Sequence, residues 1–423
     1  MNQSSMLLKT EVVPDSVPAE AVSVGASNDL TLSRDKSRLF SLDVLRGLAI
    51  ALVLIHHFPP TGIREDRLLE RFVDFWVSVG WVGVDLFFVL SGFLISGLIF
   101  KEYDRTGGFN AKRFWIRRGY KIWPAYFAAY GGMTLARITW EVIRGERERA
   151  VELLVSAGCN GIFLQNYLSC ERWSHSWSLA VEEHFYTAFA ILAGLACWFG
   201  AKKAWDGARA FRFIVPMFFA VAIMALYLRW RLGFPEYVEE GRIAYYQSHL
   251  RIDSLLFGVL LSYLLRYKRS SFPKILLRWP FVVSTLIAAL AWPAFLPIGE
   301  TPYSEFIGLT LIYLSFGLAV ASAGVNPQFG LGAPKAISQV LRCLAWLGVY
   351  SYTIYLAHAI LFGLPGAETL RQLGLGIVSS GLGDAFALWL DRTGFLALSI
   401  LGGVTLSHAI ERPFLRLRER LLP

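Results

Sequence analysis

Apolar stretches about as long as a bilayer is thick recur along this 423-residue chain, from residue 39 almost to its C-terminus. A helix needs about 20 such residues to cross the hydrocarbon core. Runs of suitable length fall near residues 39–58, 79–100, 122–140, 178–199, 211–230, 252–266, 279–297, 305–324, 341–362 and 393–411, the sixth being short. The chain is 55% hydrophobic and 17% charged, with a mean hydropathy of +0.47. Those values describe a polytopic membrane protein, not a soluble enzyme carrying one anchor. The predicted fold is therefore all-α, with about ten transmembrane helices around a polar cavity.

The net charge of +9 does not point to nucleic acid, because the basic residues lie between the apolar runs, where membrane topology accounts for them. The partner they imply is the lipid bilayer. Ten spans put both termini on one side, and Lys and Arg are in excess on the side holding the N-terminus. The segment 101–121 alone carries seven of them. The positive-inside rule then makes both termini cytoplasmic. Residues 1–37 are polar, lack helical periodicity and do not follow a signal-peptide pattern, so they read as a disordered cytoplasmic tail before a membrane domain over 38–420. Cys159 and Cys170 share the predicted outer loop after the third run and can form a disulfide there. Cys197 and Cys343 lie in spans and read as packing residues. No spacing of His and Cys argues for a metal.

Ionisable residues inside the runs are costly and point to function. Arg46 and His57 share the first run. Eleven steps of about 100° return to nearly the same helix face, about 16 Å away. Asp43 is three residues from Arg46 and can pair with it. With alternating span directions, His57, Glu182, Glu183, Arg251, Asp253, Tyr355 and His358 fall toward the outer side. Arg46, Arg117, Arg118, Lys121 and Glu411 fall at the inner mouth, where basic groups suit a polyanionic ligand. Glu182 and Glu183 are expected on different faces. His56, His175, His184, His249 and His408 read as structural. The glycines and serines of GWVGVDLFFVLSGFLISG read as close-packing residues, with Gly92 near a ligand as a lesser alternative.

Together the motifs LDVLRGLAIALVLIHH, GVDLFFVLSGFLIS, RRGYKIWP, WSLAVEEHFY, RIDSLLFG, YSYTIYLAH and ERPFLRL, in this order, resemble the integral-membrane acyltransferase-3 (O-antigen acetylase-like) family over about residues 39–418. That resemblance implies transfer of an acyl group, commonly acetyl from acetyl-CoA, to a hydroxyl, most often on a carbohydrate. No bound cofactor is implied; acyl-CoA is a co-substrate. Arg46 and His57 match the family's essential pair, and Arg118 and Lys121 match its basic RxxR motif, with Lys121 lacking the guanidinium fork. The chain is expected to stop short of the fused extracytoplasmic esterase-like domain of some relatives.

The expected site has His57 as general base, Arg46 and Glu182 beside it, and Arg117, Arg118, Lys121 and Asp43 on the donor side. Arg251, Asp253, Tyr355, His358 and Glu183 support the acceptor. An acyl-histidine is the alternative mechanism. A secondary transporter or flippase is the alternative function, since intramembrane Arg, His and Glu also build proton relays. The expected location is a bacterial inner (plasma) membrane. Envelope polysaccharide, lipopolysaccharide, exopolysaccharide, a signalling oligosaccharide and a glycosylated antibiotic all remain open as acceptors.

Overall fold

The computed structural model describes residues 23–58, 68–168, 175–232, 243–295, 307–325 and 334–422, and all regular structure among them is helical. The first half comprises α1 (Ser23–His56), α2 (Leu68–Val79), α3 (Gly83–Thr106), α4 (Ala111–Ile143), α5 (Arg147–Gly161), α6 (Trp177–Lys202), the single turn α7 (Gly207–Ala210) and α8 (Ile214–Leu232). The second comprises the turn α9 (Ile243–Tyr246), α10 (Ile252–Tyr267), α11 (Trp279–Phe295), α12 (Leu309–Val325), α13 (Lys335–Val349), α14 (Ser351–Gly363), α15 (Ala367–Leu382), α16 (Asp384–Leu406) and α17 (Arg412–Leu421). Each apolar run overlaps a helix. Four segments are long and apolar enough to cross a membrane: Glu70–Thr106, Trp177–Lys202, Gly207–Arg231 and Asp384–Leu421. A bent pair, Lys335–Val349 with Ser351–Leu361, makes a fifth if counted as one span. The architecture is that of a helical multi-pass membrane protein.

Three features depart from the expectations. Helix α1 starts at Ser23, so the segment expected to be disordered is helical from there; once a helix is nucleated, extending it costs little per residue. The ninth run is broken by a 74° bend between α13 and α14. Its apolar sequence is continuous, but Gly348 lies against the Asp43 backbone of α1, and the Tyr350 hydroxyl at the corner accepts a 2.7 Å hydrogen bond from Arg412. The helices α2, α5, α15 and α17 are too short or too polar for a search for long apolar runs to find. The Cys159–Cys170 pairing lies outside the described residues because Cys170 does.

Small residues set the central packing. Gly92 of α3 abuts the Leu255 backbone carbonyl of α10, and Gly258 of α10 abuts the Val89 carbonyl of α3. Without a hydrophobic force between helices in lipid, such close approach supplies much of the association energy. Gly92 is therefore a packing residue, as its sequence context indicates. Gly92→Val would drive a side chain into the Leu255 carbonyl, and overpacking of this kind costs about 1–3 kcal/mol or more. The expected outcome is a lower unfolding temperature in detergent and less monodisperse protein on size exclusion.

Beside this crossing lie two ion pairs whose four side chains are each 1% exposed. Arg251 donates to Asp85 at 2.8 Å and Arg229 to Asp253 at 2.7 Å. Arg229 also donates to the Leu250 carbonyl and the Thr310 hydroxyl, and the Arg251 guanidinium lies 4.7 Å from the Tyr245 ring centre. The pairs tie together α3, α8, α10 and α12.

Candidate active site

A cavity of about 190 Å³ opens between α1, α3, α4, α6 and the α13–α14 corner. Helix α3 gives it Val84, Phe87, Phe88 and Ser91, spaced so that they share one helix face. Arg46 comes from α1, Arg118 and Lys121 from the first turns of α4, and Ser178, Glu182 and Glu183 from the start of α6. The broken helix adds Gly348, Val349, Ser351, Tyr352 and Tyr355. Irregular backbone at such depth is tolerated where it lines a cavity.

The cations are arranged in pairs with acids. Arg46 holds Asp43 at 2.7 Å, and Lys121 pairs with Glu411, whose other carboxylate oxygen accepts a 2.8 Å hydrogen bond from Ser407. Arg118 lies 3.8 Å from Glu182 and also donates to the Tyr186 hydroxyl. From there a directed chain continues: Tyr186 donates to Ser91 at 3.0 Å, and Ser91 donates to Glu182 at 2.7 Å. Tyr186 and Ser91 thus link Arg118 to the Glu182 carboxylate, which accepts at the end of the chain. Glu183 accepts from the Trp123 indole at 3.3 Å, and its other oxygen has no partner among the described residues.

The histidines stand behind the cavity lining. His57 is half-buried, with Nδ1 2.8 Å from the Val53 carbonyl. That contact requires Nδ1 to carry the proton and leaves the Nε2 lone pair bare in the neutral ring. The His57 ring lies 5.0 Å from that of His358, which in turn lies 5.3 Å from Tyr355 and 5.5 Å from His175. His358 is buried, and neither ring nitrogen makes a hydrogen bond of normal geometry among the described residues. The Tyr355 hydroxyl donates to the His175 carbonyl at 2.8 Å and meets the Ser178 hydroxyl at 2.7 Å. Tyr355 and Ser178 are thus the part of this aromatic cluster that reaches the cavity.

Of the residues expected from sequence, Arg46, Arg118, Lys121, Glu182, Glu183 and Tyr355 line one cavity. The expected separation into an inner basic mouth and an outer acidic cluster fails at Glu182, which pairs with Arg118. Counting depth from the ends of apolar runs treats helices as straight and parallel. Here Arg118 sits inside the 33-residue α4, and Glu182 lies one turn into α6, so the two come to one level. Glu182 and Glu183 both line the cavity while meeting different partners, Ser91 and Trp123, because the pocket wraps around the start of α6.

Arg117 leaves the cavity and donates to the Leu422 carbonyl at 3.3 Å. Arg251 and Asp253 are held in the buried pairs described above. Glu182 makes no hydrogen bond to His57 among the described residues, so it does not orient that ring. His56, His184, His249 and His408 have local partners, but His175, expected to be merely structural, joins the histidine cluster. Ser91, Tyr186 and Ser178 escaped the sequence reading. Their signal was the 84/87/88/91 stripe and the two serines of HSWSLAVEEHFY.

A family model described as an acyltransferase domain matches residues 39–408. A candidate O-acetyltransferase of Staphylococcus aureus strain COL is 28% identical over 333 residues, a stretch that is 75% of this chain and 49% of that protein. O-acetyltransferase OatA of Staphylococcus aureus strain NCTC 8325 is 25% identical over 328 residues, again 75% of this chain and 49% of the relative. The chain therefore spans about half the length of the curated relatives it matches. No solved structure matches it. With a family match running through the helices that carry Arg46, Arg118, Glu182 and Tyr355, the chain belongs to the integral-membrane acyltransferase-3 family.

Proposed function

We propose that the chain is a membrane O-acyltransferase. It moves an acyl group, acetyl by analogy with the names of its relatives, from cytosolic acyl-CoA to a hydroxyl of a carbohydrate acceptor at the outer side of a bacterial inner membrane. The observation that carries this reading is the cavity itself. Arg46, Arg118 and Lys121 line it together with Ser178 and Tyr355, which lead back to His57 and His358. Cations in such a mouth suit the phosphates of a CoA head group, which enters hydrocarbon only at great cost. The slim pantetheine arm is the part that fits a cavity of this size. The ten-span topology with cytoplasmic termini, argued from the charge bias, gives the donor its side.

In the proposed step the acceptor oxygen attacks the thioester carbonyl carbon while its proton passes to Nε2 of His57. The C–S bond breaks, the acyl–oxygen bond remains, and the imidazolium returns the proton to the departing thiolate. In this reading Arg46 holds the donor. Purified protein in detergent is expected to release free CoA from acetyl-CoA only when a glycan acceptor is supplied. Acceptor crossing a proteoliposome membrane with no thioester cleavage would instead make the protein a transporter or flippase.

A further inference from the structure

Next to the basic mouth, outside the residues that line the cavity, lies a cation that the family motifs do not include. Arg418 lies on α17, which packs against α4, the helix of Arg118 and Lys121, and with Arg118 and Arg46 it is near enough to act on Lys121 electrostatically. Two contacts fasten α17 and its flanks to the start of α4. Glu411 before it pairs with Lys121, and the Leu422 carbonyl after it accepts from Arg117. Arg418 lies between those anchors, about two turns beyond Glu411 and so on a similar helix face.

The cations differ in their partners. Arg46 has Asp43, Arg118 has Glu182 and Lys121 has Glu411. Among the described residues Arg418 pairs only with its neighbour Glu419 at 3.4 Å, and Glu419 is 67% exposed. Yet the Arg418 side chain is just 18% exposed, and its Nε, like that of Arg118, is buried with no partner among the described residues; Arg118, unlike Arg418, also has the partly buried Glu182 and the Tyr186 hydroxyl. A sheltered guanidinium with unused donors, beside three cations already balanced by acids, is suited to an anion arriving from outside. Arg416 and Arg420 of the same helix are exposed, so the placement is particular to Arg418.

We propose that Arg418 binds a phosphate of the acyl-CoA nucleotide, making the C-terminal helix part of the donor site; this rests on acyl-CoA being the donor. The full-length protein in detergent is titrated with CoA, and its turnover is followed with acetyl-CoA and with acetyl-pantetheine, a thioester without phosphates. Arg418→Gln is expected to weaken CoA binding about tenfold, the loss of one charge-assisted contact. Turnover on acetyl-pantetheine should stay at the wild-type level, Arg418→Lys should fall between, and Arg416→Gln should match wild type.

Equal CoA affinity in wild type and Arg418→Gln overturns the proposal, as does an equal loss of turnover on both thioesters, which marks a structural residue. If Arg418→Gln instead abolishes thermal stabilisation by anionic lipid vesicles and leaves CoA affinity intact, the phosphate is a lipid's and the proposal falls. Failure of wild type itself to bind CoA removes the donor reading separately.

Discussion

Acceptor-dependent transfer by a His57→Ala protein is expected to fall about 10²–10⁴-fold, the usual contribution of a positioned general base, with CoA affinity within about twofold of wild type. The expectation follows from how the ring is held. Nδ1 faces the Val53 carbonyl of its own helix, which leaves Nε2 as the basic nitrogen, and the His358 ring packs 5.0 Å away. Losing the imidazole removes the proton acceptor but none of Arg46, Arg118 and Lys121, so donor binding and turnover should separate. Rapid-mix measurement of CoA release without acceptor distinguishes the two roles of the ring. A general base gives no burst, whereas a nucleophilic histidine releases about one CoA per enzyme as it becomes acylated. Full glycan acylation by a folded His57→Ala protein would sink the assignment.

The largest effect on stability is expected at the Asp85–Arg251 pair. Removing one partner of a buried ion pair strands the other charge and costs about 3–5 kcal/mol, while replacing both by apolar residues is often close to neutral. Asp85→Ala and Arg251→Ala should each lower the unfolding midpoint in detergent sharply and reduce the yield of folded protein. The double variant Asp85→Leu/Arg251→Met should recover much of that loss. The readout is thermal unfolding followed by tryptophan fluorescence, independent of any activity. Single variants as stable as wild type would show that water or lipid headgroups reach this pair. Because Asp85 follows the cavity residue Val84 and lies two residues before Phe87, the single variants should also disturb the pocket wall.

The helices were legible because membrane burial writes itself into sequence as long apolar runs, and each run overlaps a helix. The corner at Tyr350 was not, since the apolar run continues through it and Gly348 alone does not mark a bend; the bend goes with contacts made by residues far away in sequence, Asp43 and Arg412. The cavity residues Arg46, Arg118, Lys121 and Glu182 were legible one at a time as costly charges. Their mutual placement was not, because depth inferred from span ends carries no information about helix tilt or crossing. That is why Glu182 was expected beside His57 and is found with Arg118. Ser91 belongs to a segment that reads as close packing yet lines the cavity, because periodicity alone does not tell a cavity face from a helix–helix face.

The Lys121–Glu411 pair has a consequence for how the protein is made. The cavity takes Arg46 from the first helix, Lys121 and Glu182 from the middle of the chain, and Tyr355 from a late one, while the acid that balances Lys121 arrives only at residue 411. A ribosome-bound chain inserting helix by helix therefore holds an incomplete and electrically unbalanced site through nearly all of its synthesis. Charge balance at Lys121 begins only after the last long helix has docked, so in a chain stalled or clipped before Glu411 this lysine lacks its carboxylate partner.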